Sequence, residues 1–166
     1  LLRKALSNYI FAHGKIYENS WARRNRRQLP LPGIKKMSNR VVIGVDTSGS
    51  IGNREFQQFF AELEKIIRDG TSVTLVQWDT TVKDVREGYN KGDWRRLTIK
   101  GRGGTDVQNM FDWMIENKHE RDLLVMLTDG YFGYQYDTKN LNILWCVTVD
   151  GNEPPGGKVV HIEMQQ

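Results

Sequence analysis

The sequence predicts an α/β domain with a mostly parallel central sheet and helices on both of its faces. Two observations carry this. Short apolar runs such as VVIGVD (41–46), SVTLVQW (72–78), DLLVMLT (122–128) and NILWCVTV (142–149) lack the polar alternation of a half-exposed strand, so they read as strands covered on both sides. Between them lie stretches with apolar residues at i, i+3, i+4 and i+7, the spacing of one helical stripe.

The elements follow in order. Residues 1–19, LLRKALSNYIFAHGKIYEN, place Leu2, Leu6, Tyr9, Ile10 and Ile16 at near-helical spacing and read as a helix weakened at Gly14. WARRNRRQLPLPGIKKMSN (21–39) has prolines, a glycine and no sustained period, so an extended arm is expected. After the strand at 41–46, Phe56, Phe59, Phe60, Leu63, Ile66 and Ile67 mark a helix that Asn53 caps and Gly70 stops. SVTLVQW is a second strand, TTVKDVRE a third that pairs with it, and RLTIK (96–100) a short strand-like run. Val107, Met110, Phe111, Met114 and Ile115 define another helix, and DLLVMLTDG, NILWCVTV and KVVHIEM close the series.

Charge divides the chain at the same place as texture. Residues 1–40 hold ten Lys or Arg and one acid, Glu18, a net +9; the whole chain sums to +4, so the remainder carries −5. The expected organisation is a basic helix and arm over 1–40 and an α/β domain over 41–166. No apolar stretch approaches the ~20 residues of a membrane span, and no signal peptide is visible. The chain opens on Leu1 and reads as a piece of something longer. Its one cysteine, Cys146, sits in an apolar strand, which favours a reduced, cytoplasmic setting and an inert thiol.

Open α/β sheets bind ligands outside the carboxyl ends of their strands. Three loops emerge there with oxygen-bearing side chains. The first carries Asp46, Ser48 and Ser50; the second, GRGGTD, carries Thr105 and Asp106; the third, LTDG, carries Thr128 and Asp129. Few charges among many hydroxyls suit a hard dication such as Mg²⁺. Zinc would want nitrogen or sulfur, and His13, His119 and His161 are scattered.

Asp-x-Ser-x-Ser after a buried strand, a Thr in a glycine-rich loop and an Asp at a later strand end resemble the metal-ion-dependent adhesion site of von Willebrand factor A domains. Asp46, Ser48, Ser50, Thr105 and Asp129 match its five positions, and the order of elements extends the likeness over roughly 41–165. DTSGSI, GGTD and LTDG behind a W-x-R-x-N-R-R arm (Trp21 to Arg27) resemble a prokaryotic subgroup in which such a domain follows a metallopeptidase-like region. The resemblance implies a Rossmann-like sheet and Mg²⁺ (with Mn²⁺ or Ca²⁺ as substitutes). Ser48 and Ser50 would bind directly, Thr105 directly in the ligand-competent state, and Asp46 and Asp129 largely through water. It also implies a protein partner that offers an Asp or Glu carboxylate: a MoxR-like ATPase, or the chain's own upstream region.

Plainer readings stand beside these. Ser48 and Ser50 are suited to capping a helix, Asp129 to an Asp-Gly turn, and Asp106 to capping the helix at Val107 or orienting Thr105. Asp79 faces the same crest or is an exposed strand-end acid. Tyr131 and Phe132, just beyond Asp129, either meet the partner or pack over their own loop. The basic arm leaves nucleic acid as an alternative partner, and Mg²⁺ leaves a hydrolase as an alternative activity. Enzymatic motifs are lacking: His119-Glu120 has no second histidine to make H-E-x-x-H, and Ser50 stands where a P-loop needs lysine. The expected role is a non-enzymatic, Mg²⁺-dependent interaction module without a membrane span.

Overall fold

The computed structural model describes residues 4, 7–9, 17–24, 31–36, 40–47, 53–66, 71–90, 92–97 and 103–162. In chain order these give β1 (Tyr17–Arg24), β2 (Pro32–Lys36), β3 (Arg40–Asp46), α1 (Asn53–Ile66), β4 (Ser72–Trp78) and β5 (Val82–Arg86). After them come a 3₁₀ turn (Asp93–Arg96), α2 (Val107–Glu116), β6 (Leu123–Thr128), β7 (Asn142–Thr148) and β8 (Lys158–Ile162).

Six strands form one sheet in the order β5-β4-β3-β6-β7-β8. All neighbours are parallel except β5, which runs antiparallel to β4 at one edge. Alternation along each strand sorts its side chains to the two faces. Val41, Ile43 and Val45 meet Phe56, Phe59, Phe60 and Leu63 of α1 on one face. Val42, Leu124 and Met126 meet Val107, Met110, Phe111 and Met114 of α2 on the other. Each helix thus buries an i, i+3, i+4, i+7 stripe, and the central strands, covered twice, need no polar positions.

Gly44 occupies the crossing of three elements. A Cβ there would stand 2.5 Å from Met126 Sδ and 3.2 Å from Trp78 Nε1, so its hydrogen makes room for a thioether and an indole. Tyr9 packs on the α1 face, where its hydroxyl donates to the Ile143 carbonyl.

Two expectations need correction. Tyr17–Asn19 is not the end of a helix, nor are Pro32–Lys36 part of an unpaired arm: β1 and β2 form an antiparallel ribbon with Glu18 opposite Lys35 and Ser20 opposite Gly33. The two strands are consecutive in the chain, and Pro32 begins its strand, where a missing N–H costs least. Arg96 of RLTIK belongs to the 3₁₀ turn rather than to a strand. Gly92 there adopts a left-handed φ of 93°, and the Asp93 carboxylate accepts from the Asn90 amide, local features that close the turn; Leu97 beyond it is extended. Residues 98–100, Gly70 and most of the N-terminal helix lie outside the described residues.

Candidate functional site

The chain leaves β3 for β4 on one side and returns to β6 on the other, so the sheet's switch point lies at the carboxyl ends of β3 and β6. Asp46 is the last residue of β3 and only 2% exposed. Its Oδ2 accepts a 2.9 Å hydrogen bond from Thr128 Oγ1, at the end of β6. That hydroxyl in turn accepts from the Gly130 amide at 3.1 Å, which fixes it as the donor to Asp46. Thr105 Oγ1 approaches the same carboxylate from the glycine-rich loop, 3.4 Å from Oδ1 and 3.5 Å from Oδ2. These separations exceed a good O–H···O bond, so Thr105 is held loosely while Thr128 is held firmly.

Asp129 follows directly and is buried; its Oδ1 accepts from the Tyr131 amide at 3.0 Å, the geometry of an Asx turn. Gly130 has φ +75°, and a Cβ on it would fall 1.9 Å from the Asn152 carbonyl oxygen. No other residue fits this turn, which brings the 149–152 loop against Asp129 through the Asn152 amide and Asp129 carbonyl, 2.9 Å apart.

The structure therefore brings together Asp46 and Thr105, with Asp129 one residue from Thr128. Ser48 and Ser50 lie outside the described residues. Thr128 was legible only as part of LTDG; its firm bond to Asp46 had no signal beyond a hydroxyl at a strand end. Asp106 is the N-cap of α2: its Oδ1 accepts from the Gln108 amide at 3.0 Å. Asp79, buried rather than an exposed strand-end acid, belongs to this crest, since its carbonyl accepts from the Asp106 amide at 3.0 Å. Burial pushes its carboxyl up, but the Thr81 amide, Lys83 and the Thr80 hydroxyl outweigh that and leave it below the usual carboxylate value.

The aromatic loop divides. Phe132 packs edge-on against Trp78 and, with Tyr136, joins the α2-side core. Tyr131 is 62% exposed and Tyr134 is exposed, their hydroxyls tethered to the carbonyls of Asp150 and Gly130.

Among the described residues, histidine and cysteine lie elsewhere. His119 sits 2.6 Å from Asp122 at the opposite end of β6 and stacks on Trp113. His161 pairs with Glu153, which raises its pKa. Cys146 is fully buried mid-strand, and burial pushes its thiol well above the ordinary value. Among the described residues no three His, Cys, Asp or Glu gather. At the crest the donors are carboxylate and hydroxyl oxygens, a set that fits a hard dication and not zinc.

Residues 41–163 match the VWA-like domain (DUF2201) family, and the chain belongs to it. It is similar to an uncharacterized protein of Thermotoga maritima, 40% identical over 111 residues that make up 66% of this chain and 28% of that protein. The chain thus spans less than a third of that relative's length. Among solved structures it is similar to proximal thread matrix protein 1 of the mussel byssus, at 13% identity over 88% of this chain and 39% of that one, with a TM-score of 0.48. It is also similar to an aerotolerance-related membrane protein of Bacteroides fragilis, at 12% identity over 65% of this chain and 66% of that one, with a TM-score of 0.44. A third is the ArnB paralog VWA2 of Sulfolobus acidocaldarius, at 12% identity over 74% and 36%, with a TM-score of 0.42. VWA-like domains are usually interaction modules rather than enzymes. Among the described residues no helix is long and apolar enough to cross a membrane.

Proposed function

We propose that this domain binds a protein partner through a dication held at the switch point, and that the partner contributes an Asp or Glu side chain. The supporting observation is the meeting of Thr105 and Thr128, 59 and 82 residues away in sequence, on the one buried carboxylate of Asp46. Asp46, Ser48, Ser50, Thr105 and Asp129 would hold the ion, Mg²⁺ with Mn²⁺ or Ca²⁺ as substitutes. Bound there, it supplies an electrophilic position that a partner's carboxylate can take.

The chain's own residues do the rest. Asp46 and Asp129 together roughly balance a 2+ charge without exceeding it, so the ion would stay electrophilic toward a partner's carboxylate. Thr128 orients the Asp46 carboxylate from within the sheet. Thr105, on a longer contact, is the side chain able to turn from Asp46 toward an ion. Tyr131, exposed and tethered, offers a fixed aromatic surface beside Asp129 for the residues flanking the partner's acid. Without the dication, buried Asp46 and Asp129 would repel that acid, so binding of ion and partner should each strengthen the other. A MoxR-like ATPase, or a region upstream in the same polypeptide, suits this role, and the lone buried Cys146 suits a reducing, cytoplasmic setting.

Calorimetry with Mg²⁺ and Mn²⁺, with and without an acidic peptide, tests the reading. Wild-type protein should take up metal more tightly with peptide present, and Asp46→Ala should take up none. Absence of uptake by wild type at millimolar metal with peptide supplied refutes it. A second reading rests on Trp21, 77% exposed in β1 of the basic ribbon. If the ribbon binds nucleic acid, binding should survive chelator and fall steeply with salt.

A further inference from the structure

We propose that Asp79 is a positioning residue, holding the glycine-rich loop so that Thr105 stands over Asp46; the inference rests on the metal-site reading above. Asp79 begins the turn from β4 to β5 and is 3% exposed. Its Oδ1 accepts from the Thr81 amide at 3.1 Å and the Thr80 hydroxyl at 3.2 Å, with Lys83 Nζ at 3.2 Å. Its own amide donates to the Thr81 carbonyl at 3.1 Å, so the turn is closed on itself and rigid.

This turn grips both loops of the site. The Trp78 carbonyl accepts from the Thr47 amide at 2.9 Å and the Thr47 hydroxyl at 3.1 Å, fixing the residue after Asp46. The next carbonyl, that of Asp79, accepts from the amide of Asp106, the residue after Thr105. Two consecutive carbonyls therefore set the spacing of two proposed ligands. Asn109 Nδ2 adds a second strut, donating to the Thr80 carbonyl at 2.7 Å and to Asp106 Oδ2 at 2.8 Å. The loop also lies against the turn: a Cβ on Gly103 would be 3.5 Å from Asp79 Oδ2, and one on Gly104 4.0 Å from Thr80 Cγ2.

A buried carboxylate is costly, and Lys83 compensates its charge, so Asp79 adds little to the field at Asp46. Its effect on the site is geometric. Outer-shell partners of metal ligands typically change affinity about 10- to 100-fold when removed.

The test measures Mn²⁺ affinity by calorimetry and amide hydrogen exchange at Asp106 in the metal-free protein. Asp79→Ala should weaken Mn²⁺ binding about 10-fold and speed exchange at Asp106, with amides in the middle of β6 unchanged. Asp79→Asn, which keeps an acceptor for the Thr81 amide, should recover most of the affinity. Asn109→Ala cuts the second strut without touching β4 and should shift both readouts the same way, which keeps the test valid if Asp79→Ala fails to fold. Wild-type affinity and unchanged Asp106 exchange in these variants overturn the proposal. If wild type itself takes up no Mn²⁺, the metal-site reading fails, while Asp106 exchange still decides whether the clasp exists.

Discussion

At the scale of single residues, close approaches decide where the sequence has no freedom. Gly44 and Gly130 both lack room for a methyl group, but against different neighbours. At Gly44 the nearest atom is the flexible Met126 side chain, so Ala there should cost about 1–3 kcal/mol of overpacking. At Gly130 the obstacle is the Asn152 main chain and φ is positive, so both terms oppose a side chain and the 149–152 loop must move. Urea unfolding should rank Gly130→Ala as the more destabilising; the reverse order would mean that the loop yields more easily than the core.

Asp79 makes a pH prediction of definite sign. Burial pushes its carboxyl up, but the Thr81 amide, Lys83 and Thr80 outweigh that and hold the folded value below the ordinary carboxylate one. The stability it contributes is present above that ordinary value and is lost as pH falls through the folded one. Wild type should therefore exceed Asp79→Asn in urea midpoint at pH 7, with the gap closing below about pH 4; a gap independent of pH refutes it. The sequence could not show this burial, since a strand-end acid reads alike whether solvent or Thr80, Thr81 and Lys83 surround it. Asp46 and Thr105 were legible because their motif is spaced by loops that folding brings together.

At the scale of elements, legibility followed periodicity. Phe56, Phe59, Phe60 and Leu63 mark α1 in the sequence, and Val107, Met110, Phe111 and Met114 mark α2, because each stripe answers to one sheet face. The ribbon of β1 and β2 escaped: Tyr17–Arg24 carries no clean alternation, and a register shift between Ser20 and Arg24 breaks what there is. Its pairing comes from a partner strand, which local pattern cannot report. Caps lie between these cases, since Asp106 could be read as a cap from its place before an apolar stripe. Asp106→Ala removes the acceptor for the Gln108 amide and should cost about 1 kcal/mol. Thermal unfolding checks this, and an unchanged midpoint would mean that water replaces the cap at no loss.

At the scale of the whole molecule, one sheet divides two cores but joins their fates. The strands that receive α1 through Ile43 and Val125 receive α2 through Val42 and Leu124, so neither face can open without stripping cover from residues adjacent in sequence to the other. Phe60, fully buried, contacts Phe56, Phe59, Tyr89 and Trp94. Phe111, equally buried on the far face, meets Tyr136 and Trp145 edge-on. Truncating either to Ala should cost about 3–5 kcal/mol, a large share of the ~5–15 kcal/mol that holds a domain of this size. With fluorinated tryptophan, Trp94 reports on the α1 side and Trp145 on the α2 side. In Phe60→Ala the two signals should vanish at one lowered urea concentration, as they should in Phe111→Ala. Loss of Trp94 well before Trp145 in the first variant would show the faces to be separable units, and the central strands would then be holding one core while the other melts.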